Sequence, residues 1–549
     1  MKPNDIPSHV FRGDGEQVQA IQFAYARASD QDAAKPVRHP IVVVGAGPVG
    51  LTLAIDLAQR GQPVLLLDND DKLSMGSRAL CFAKRTLEIW DRLGVGDAMV
   101  DKGVSWNVGK VFFKDQQVYQ FNLQPEDGHE RPAFINLQQY YCEAYLVERA
   151  LQLPNLDIRW KNYVAGVTAR DDGALLTIDT PDGSYQIDAD WVIACDGGRS
   201  PMRSHLGLES KGRIFRDRFL IADVKMKADF PTERWFWFDP PFHPNQSVLL
   251  HREPDNVWRI DFQLGWDADP DEEKKPENII PRVQALLGKQ VEFTLEWASV
   301  YTFSCLRMDR FVHGRVIFAG DSAHGVSPFG ARGANSGVQD ADNLAWKLDW
   351  VLKGRAGIDL LNTYGPEREY AADENILNST RATDFITPKS DISRLFRDQV
   401  LELAREHEFA RRLVNSGRLS VPATLVHSDL NTPDMQAFQG KMVPGAAMTD
   451  APVEAASGKA GWLLRSLSPE FTLLVFGEAP GWMAKLDHVS VLRIGIDLID
   501  TQGLVTRRLD AKPGTAYLIR PDQHVCARWR TPTEAGVRAA LARATCKQV

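Results

Sequence analysis

"HPIVVVGAGPVGLTLAIDLAQRGQPVLLLDND", residues 39–70, opens and closes on short runs of aliphatic residues. Between them lie a glycine turn and an apolar segment at helical spacing. The pattern predicts strand, turn, helix, glycine stop and strand, a βαβ unit. Gly45, Gly47 and Gly50 form GxGxxG where the strand meets the helix, and Pro48 opens the helix. The first glycine permits the tight turn. The second lets a pyrophosphate reach the backbone at the positive helix end, and the third lets helix and strand pack closely. Asp68 ends the second strand, 23 positions after Gly45, where a carboxylate can accept hydrogen bonds from ribose hydroxyls. The unit predicts a dinucleotide site and leaves NAD and FAD open.

The chain around this unit has 549 residues, 44% hydrophobic and 25% charged, with a net charge of −8. Its basic residues are scattered, which argues against nucleic acid or an anionic membrane as partner. No apolar run reaches the roughly 18 residues of a membrane span. The N-terminus, "MKPNDIPSHVFRGDGEQ", lacks an apolar signal core. The six cysteines have no metal-ligand spacing, and a reduced, cytoplasmic setting is expected.

Two further stretches follow predicted strands. "ALLTIDTPDGSYQIDADWVIACDG" reads as a hairpin turning at Asp182-Gly183, then a strand, and it runs into "ACDGGRSPMR" with Asp196, Gly197, Ser200 and Arg203. The strand "GRVIFAG" leads into "GDSAHGVSPFGARGANSGVQDADNLAWKL", residues 320–348. This second stretch places Gly320 and Asp321 after the strand. A loop poor in side chains follows, then an amphipathic helix with Val338, Ala341, Leu344, Ala345 and Leu348 on one face. Bare backbone ahead of a helix N-terminus leaves room for a ligand with negative charge.

With GxGxxG, a mid-chain Asp-Gly and a later Gly-Asp in this order, residues 40–390 resemble the single-component FAD-dependent aromatic hydroxylases, the group that includes p-hydroxybenzoate hydroxylase and phenol hydroxylase. The resemblance implies an α/β fold: a GxGxxG-type FAD-binding domain, an inserted β-rich substrate domain and a C-terminal thioredoxin-like domain. The expected limits are an extension at 1–38, the FAD-binding domain at 39–212 and 304–425, the substrate domain at 213–303, a linker at 426–454 and the last domain at 455–549. That domain lacks a CxxC, so no redox role is expected of it. By the same resemblance Asp321 binds the ribityl chain of FAD, and Pro328 with the backbone of Gly333, Ala334 and Asn335 lines the flavin ring. Arg78 lies near the phosphates, Gln139 lies beside FAD, and Asp196 and Arg203 touch both FAD and the nicotinamide donor. NADH and NADPH are both open as that donor. The implied activity uses O2 and a flavin C4a-hydroperoxide to hydroxylate a phenolic ring. Rival readings are a halogenase, an oxidase or a catalytically silent flavin-binding protein. A homodimer is compatible with all of them.

The chain departs from the family pattern in two places. "GARGAN" stands where the family often has Gly-Gly-Gln-Gly before its Asn, so Arg332 brings a charge to the expected flavin. Asp68-Asn69 stands where many members show Glu-Arg. In the substrate region, His251, Tyr301 and His243 are candidates to take the phenolic proton, with Arg332 as the third expected catalytic residue. An aromatic wall of Trp235, Phe236, Trp237, Trp258 and Phe262 is expected to hold the ring. Arg332, Arg252 and Arg259 are candidates to grip a carboxylate if the substrate is an aromatic acid.

Overall fold

A computed structural model of the protein describes residues 6–547 apart from 77, 229, 289, 415–418 and 420. Val37–Val44 pairs in parallel with Val64–Leu67 on one side and Gly183–Ala194 on the other. Leu156–Arg159 and Val316–Phe318 extend the same parallel sheet at its two ends. Residues 41–44 are buried, as a strand covered on both faces must be. The helix Pro48–Gln59 covers one face with Leu51, Leu53, Ala54, Ile55 and Leu57, and it packs on the helices Gln139–Ala150 and Gly333–Leu352. The hairpin at Asp182-Gly183 forms as the sequence suggests. Its second arm runs unbroken into the parallel sheet as the strand Gly183–Ala194.

A second sheet of eight strands stands over this unit. Its order is His324–Gly325, Thr294–Met308, Ser210–Lys225, Val257–Leu264, Ser247–Arg252, Arg234–Phe238, Val108–Phe113 and Gln116–Asn122. The last two strands come from well before residue 213, so the sheet reaches beyond the block of sequence expected to form it. Its two faces differ in kind. Trp235 lies opposite Leu250, Leu250 opposite Ile260, and Ile260 opposite Ala222. That row joins Trp237, Trp258 and Phe262 in an apolar core closed by Ile279 and Val283 of the helix Pro276–Leu287. The next row runs Phe236, Leu249, Asp261, Ile221 and belongs to the opposite face. Of the expected aromatic wall, Trp235, Trp237, Trp258 and Phe262 therefore build the core behind the sheet. Phe236 alone shares the face that carries the polar groups.

The segment before the first strand wraps the parallel sheet. Phe11, Val18 and Phe23 are buried, and the Phe23 ring stacks on Trp160 with centroids 4.2 Å apart. At the other end, Phe471–Phe476 pairs in parallel with Val489–Ile494 and antiparallel with Ala516–Ile519, which pairs with Val525–Trp529. This is the thioredoxin-like arrangement, here one end of a seven-stranded sheet with Val525–Trp529 at its edge. Residues 426–454, expected as a linker, are hydrogen-bonded along that unit. Gly445 N–H donates to the Val525 carbonyl and Met448 N–H to the Gln523 carbonyl.

The helix Gly333–Leu352 is buried on its polar side as well as its apolar one. Trp346 and Trp350 meet Phe471 of the C-terminal unit edge-on, at 5.8 and 5.1 Å. Beside them lies a fully buried charge network. Arg520 grips Glu367 through two nitrogens at 2.6 and 3.1 Å and Asp522 at 3.0 and 2.5 Å. Lys347 of the helix donates to Glu367 at 2.7 Å. Arg85 reaches the Asp522 carbonyl at 2.7 Å and Asp342 at 3.3 Å. Charges in this number can be buried because nearly every one is paired.

Candidate functional site

The GxGxxG turn has the shape its three glycines allow. Gly45 adopts φ +105°, and a Cβ there would lie 2.5 Å from the Cys195 carbonyl oxygen. A Cβ on Gly50 would lie 1.9 Å from the Gly45 carbonyl oxygen, so helix and turn are as close as backbone permits. Nothing lies within 4 Å of a Cβ on Gly47, which starts the helix and faces open space. Asp68 caps the turn from the neighbouring strand, accepting from Ala46 N–H at 2.5 Å and Asp70 N–H at 2.8 Å. Burial raises its pKa against those bonds.

Asp321 follows the strand Val316–Phe318 and faces the start of the next helix. A Cβ on Gly333 would lie 3.9 Å from its Oδ1. Among the described residues no hydrogen bond reaches this carboxylate. It is open to solvent yet ringed by protein, and that desolvation raises its pKa. The loop around it is braced from below. Asp340 accepts from Gly320 N–H at 2.9 Å and from Arg368 Nε at 2.6 Å, and it pairs with His324 at 2.6 Å. Asn335 clamps the other side. Its Oδ1 accepts from Ala83 N–H at 2.8 Å and Thr86 Oγ1 at 2.6 Å, while its Nδ2 donates to the Cys81 and Ala331 carbonyls. One glycine in the first turns of the helix Gly333–Leu352 has a packing cause: a Cβ on Gly337 would lie 2.5 Å from Val49 Cγ2.

The Asp-Gly stretch meets this loop. Asp196 Oδ2 accepts from Ser200 Oγ at 2.8 Å and Met202 N–H at 2.9 Å, whereas its Oδ1 is buried without a partner. Arg203 donates to the carbonyls of Ser322 at 2.8 Å and Gly198 at 2.7 Å, and so staples the two motifs together. Gln139 accepts from Ala79 N–H at 3.0 Å and donates to Glu143 at 2.7 Å, which fixes the segment holding the exposed Arg78. Pro328 turns the loop by accepting from Ala331 N–H at 3.1 Å. Arg332 is buried and donates to Asn375 at 3.2 Å.

The polar face of the eight-stranded sheet closes over the glycine loop. Phe329 of the loop packs on Phe219 at 4.9 Å and Phe303 at 5.5 Å. Along this face lie Tyr301, Asp261, Arg259, His251 and Arg234. Asp261 accepts from Arg259 Nε at 2.9 Å and sits 3.6 Å from His251 Nε2. Burial, with the nearby Arg234 charge, pulls His251 down to about 4, so the imidazole is neutral at neutral pH. Burial raises the Tyr301 hydroxyl well above its ordinary value. His243 points elsewhere: it bonds the Gln263 carbonyl at 2.7 Å and meets the ring of Phe262, on the core side. Arg234 and Asp340 did not emerge from the sequence. Strand alternation could have found the first, since Trp235 and Trp237 in the core put Arg234 on the opposite face.

No group of three or more His, Cys, Asp or Glu suited to a metal occurs among the described residues. Nor is any helix among them long and apolar enough to cross a membrane. Residues 38–379 match the family described as FAD binding domain. A probable NADH-specific resorcinol 4-hydroxylase of Rhodococcus jostii (strain RHA1) is 29% identical over 507 residues, 88% of this chain and 91% of that protein. The 3-(3-hydroxy-phenyl)propionate/3-hydroxycinnamic acid hydroxylase of Escherichia coli (strain K12) is 27% identical over 520 residues, 89% of this chain and 91% of that one. The flavin-dependent monooxygenase PieE, solved with FAD and substrate, superposes with a TM-score of 0.80 at 22% identity, over 94% of this chain and 100% of that chain. RebC, solved with reduced flavin, gives 0.72 at 22% identity, over 93% and 99%.

Proposed function

Because the chain belongs to the FAD-binding family of aromatic monooxygenases, we propose that it hydroxylates a phenolic ring at the expense of NADH and O2. One observation carries the reading. The loop from Asp321 to Asn335 has the GxGxxG unit on one side and a polar sheet face on the other, so a flavin held by the first meets a ring held by the second. NADH is taken as donor because the Rhodococcus relative is named for it.

The residues fit the cofactor. Gly45, Gly47, Pro48, Gly50 and Asp68 would hold its adenosine end and pyrophosphate. The unbonded Asp321 carboxylate would take ribityl hydroxyls, and the backbone N–H groups of Gly333, Ala334 and Asn335 would meet the ring at a helix N-terminus. Bound FAD supplies the hydride acceptance and the oxygen activation. The chain does the rest. Asp196 and Arg203 hold the Asp-Gly turn against the Gly-Asp loop, at the approach for the nicotinamide donor. Tyr301 stays a hydroxyl at neutral pH and can orient the phenolic oxygen by hydrogen bonding. His251 at about 4 is a weak base, which favours Tyr301 over His251 at the phenol. Phe219, Phe303 and Phe329 keep water from the space above the loop.

Purified enzyme is tested for NADH oxidation with and without a panel of phenols, with products followed by mass spectrometry. Stimulation by a phenol together with a product carrying one added oxygen supports the reading. Peroxide with no oxygenated product indicates an oxidase, and halide incorporation a halogenase. No phenol coupling at all would sink the hydroxylase assignment.

Thiol chemistry has no part in this scheme. Cys526 is buried in the C-terminal core, where burial pushes its thiol up to about 12, and Cys546 lies half-buried against that core in the turn after the helix Glu534–Ala544. The double substitution Cys526→Ala and Cys546→Ala should leave the rate of phenol-dependent NADH oxidation unchanged. A large loss in a variant that melts like the parent would show that a thiol matters.

A further inference from the structure

Arg234 opens the strand Arg234–Phe238 on the polar face of the sheet and is 4% exposed. Its Nε and Nη1 are buried with no hydrogen-bond partner, and it forms no ion pair among the described residues. Two rings flank the guanidinium: Phe236 at 5.1 Å and Trp106 at 5.9 Å. Trp106 is itself fixed, stacked on Phe134 at 5.0 Å and bonded to Asn136 at 2.8 Å. A rigid, buried cation with unused donors is costly unless an anion completes it.

The neighbours do not supply that anion. Asp261 is committed to Arg259 and lies against His251. Asp223 and Glu253 lie about Arg259. The Cys81 thiol beside Arg234 is kept protonated by burial and bonds Asn136 at 3.2 Å. The other arginines once eligible for the task are engaged or misplaced. Arg259 holds Asp261, Arg332 holds Asn375, and Arg252 shares the core face with Trp258 at 5.8 Å.

We propose that Arg234 is the anchor for a carboxylate on the substrate, which makes the preferred substrate a hydroxyaryl carboxylate rather than a neutral phenol. This rests on the reading of the polar face as the substrate side. A planar, singly charged carboxylate matches the planar guanidinium, whose position the Trp106 and Phe236 rings fix. The phenolic end of such a molecule then extends along the sheet towards Tyr301.

The test is equilibrium dialysis on the FAD-loaded protein, which reads binding without turnover. The probes are 3-hydroxybenzoate, 3-hydroxyphenylacetate and 3-(3-hydroxyphenyl)propanoate, each beside its primary amide. The parent should bind at least one acid about tenfold more tightly than its amide, the low end of a charge-assisted hydrogen bond. Arg234→Gln should erase that preference by weakening the acid far more than the amide. Arg234→Lys keeps the charge without the fork and should retain part of it. If Arg234→Gln does not fold, the lysine variant decides, because undiminished acid binding there overturns the anchor. No acid preference in the parent, or a preference that survives in Arg234→Gln, overturns it too. Acids that bind through Arg234 but yield no oxygenated product leave the anchor standing and remove the hydroxylase reading. Neutral phenols hydroxylated by a parent that ignores the acids do the reverse.

Discussion

Asp321→Ala should cost the protein about 1.5–3 kcal/mol of FAD affinity, roughly a 10- to 150-fold weaker complex. The carboxylate has no partner of its own, sits beside the helix start at Gly333 and is partly desolvated. It is poised to accept hydrogen bonds from hydroxyls on a ligand. Replacing it should leave the fold intact, since no described residue leans on it. Titration of the apoprotein with FAD, read by flavin fluorescence, measures the change. Asp321→Asn keeps the shape and should fall between parent and alanine variant. An alanine variant that retains full flavin after dialysis would remove this carboxylate from the cofactor site.

Arg520→Met should have the larger effect on stability, about 3–5 kcal/mol, because it strips the shared cation from Glu367 and Asp522 in a dry interior. Both carboxyls are held below their ordinary range, chiefly by Arg520 working against the cost of burial. The sign follows from that depression. Their contribution is complete above the unfolded carboxyl values of about 4–4.5 and drains away as pH falls through the lower folded values. The variant should therefore melt at a lower temperature at neutral pH and unfold at a higher pH on acid titration. Calorimetry at neutral pH with an acid series checks both. Since Lys347 carries the network into the helix that starts at Gly333, flavin occupancy should fall along with the melting point. A variant as stable as the parent would mean that Arg520 only offsets its own burial.

Much of the first unit was legible in the sequence. GxGxxG, the aliphatic strands and the Asp182-Gly183 turn are short-range signals, and each follows from local backbone chemistry. The substrate sheet was less legible, because its edge comes from residues 108–122 and strand order is a long-range property. The aromatic run at 235–237 names its alternation but not which side faces the ligand. That depends on the helix Pro276–Leu287, which arrives later in the chain. The helix Gly333–Leu352 reads as amphipathic because charges usually mean solvent. Lys347, Asp342 and Asp340 are buried instead, matched by Glu367, Arg92 and Arg368 from distant segments. Arg332 shows the same limit: its neighbour Asn375 is 43 positions away.

The strand Arg234–Phe238 sends alternate side chains into two different compartments, one carrying polar groups and one wholly apolar. Point changes at 234 and 236 therefore leave the apolar core behind the sheet in place, while a one-residue insertion or deletion exchanges both sets at once. Lineages descended from it should vary at 234 and 236 by substitution and keep the length of this strand fixed. A mutagenesis library aimed at new ligands gains the most by randomising those two positions and leaving 235 and 237 alone.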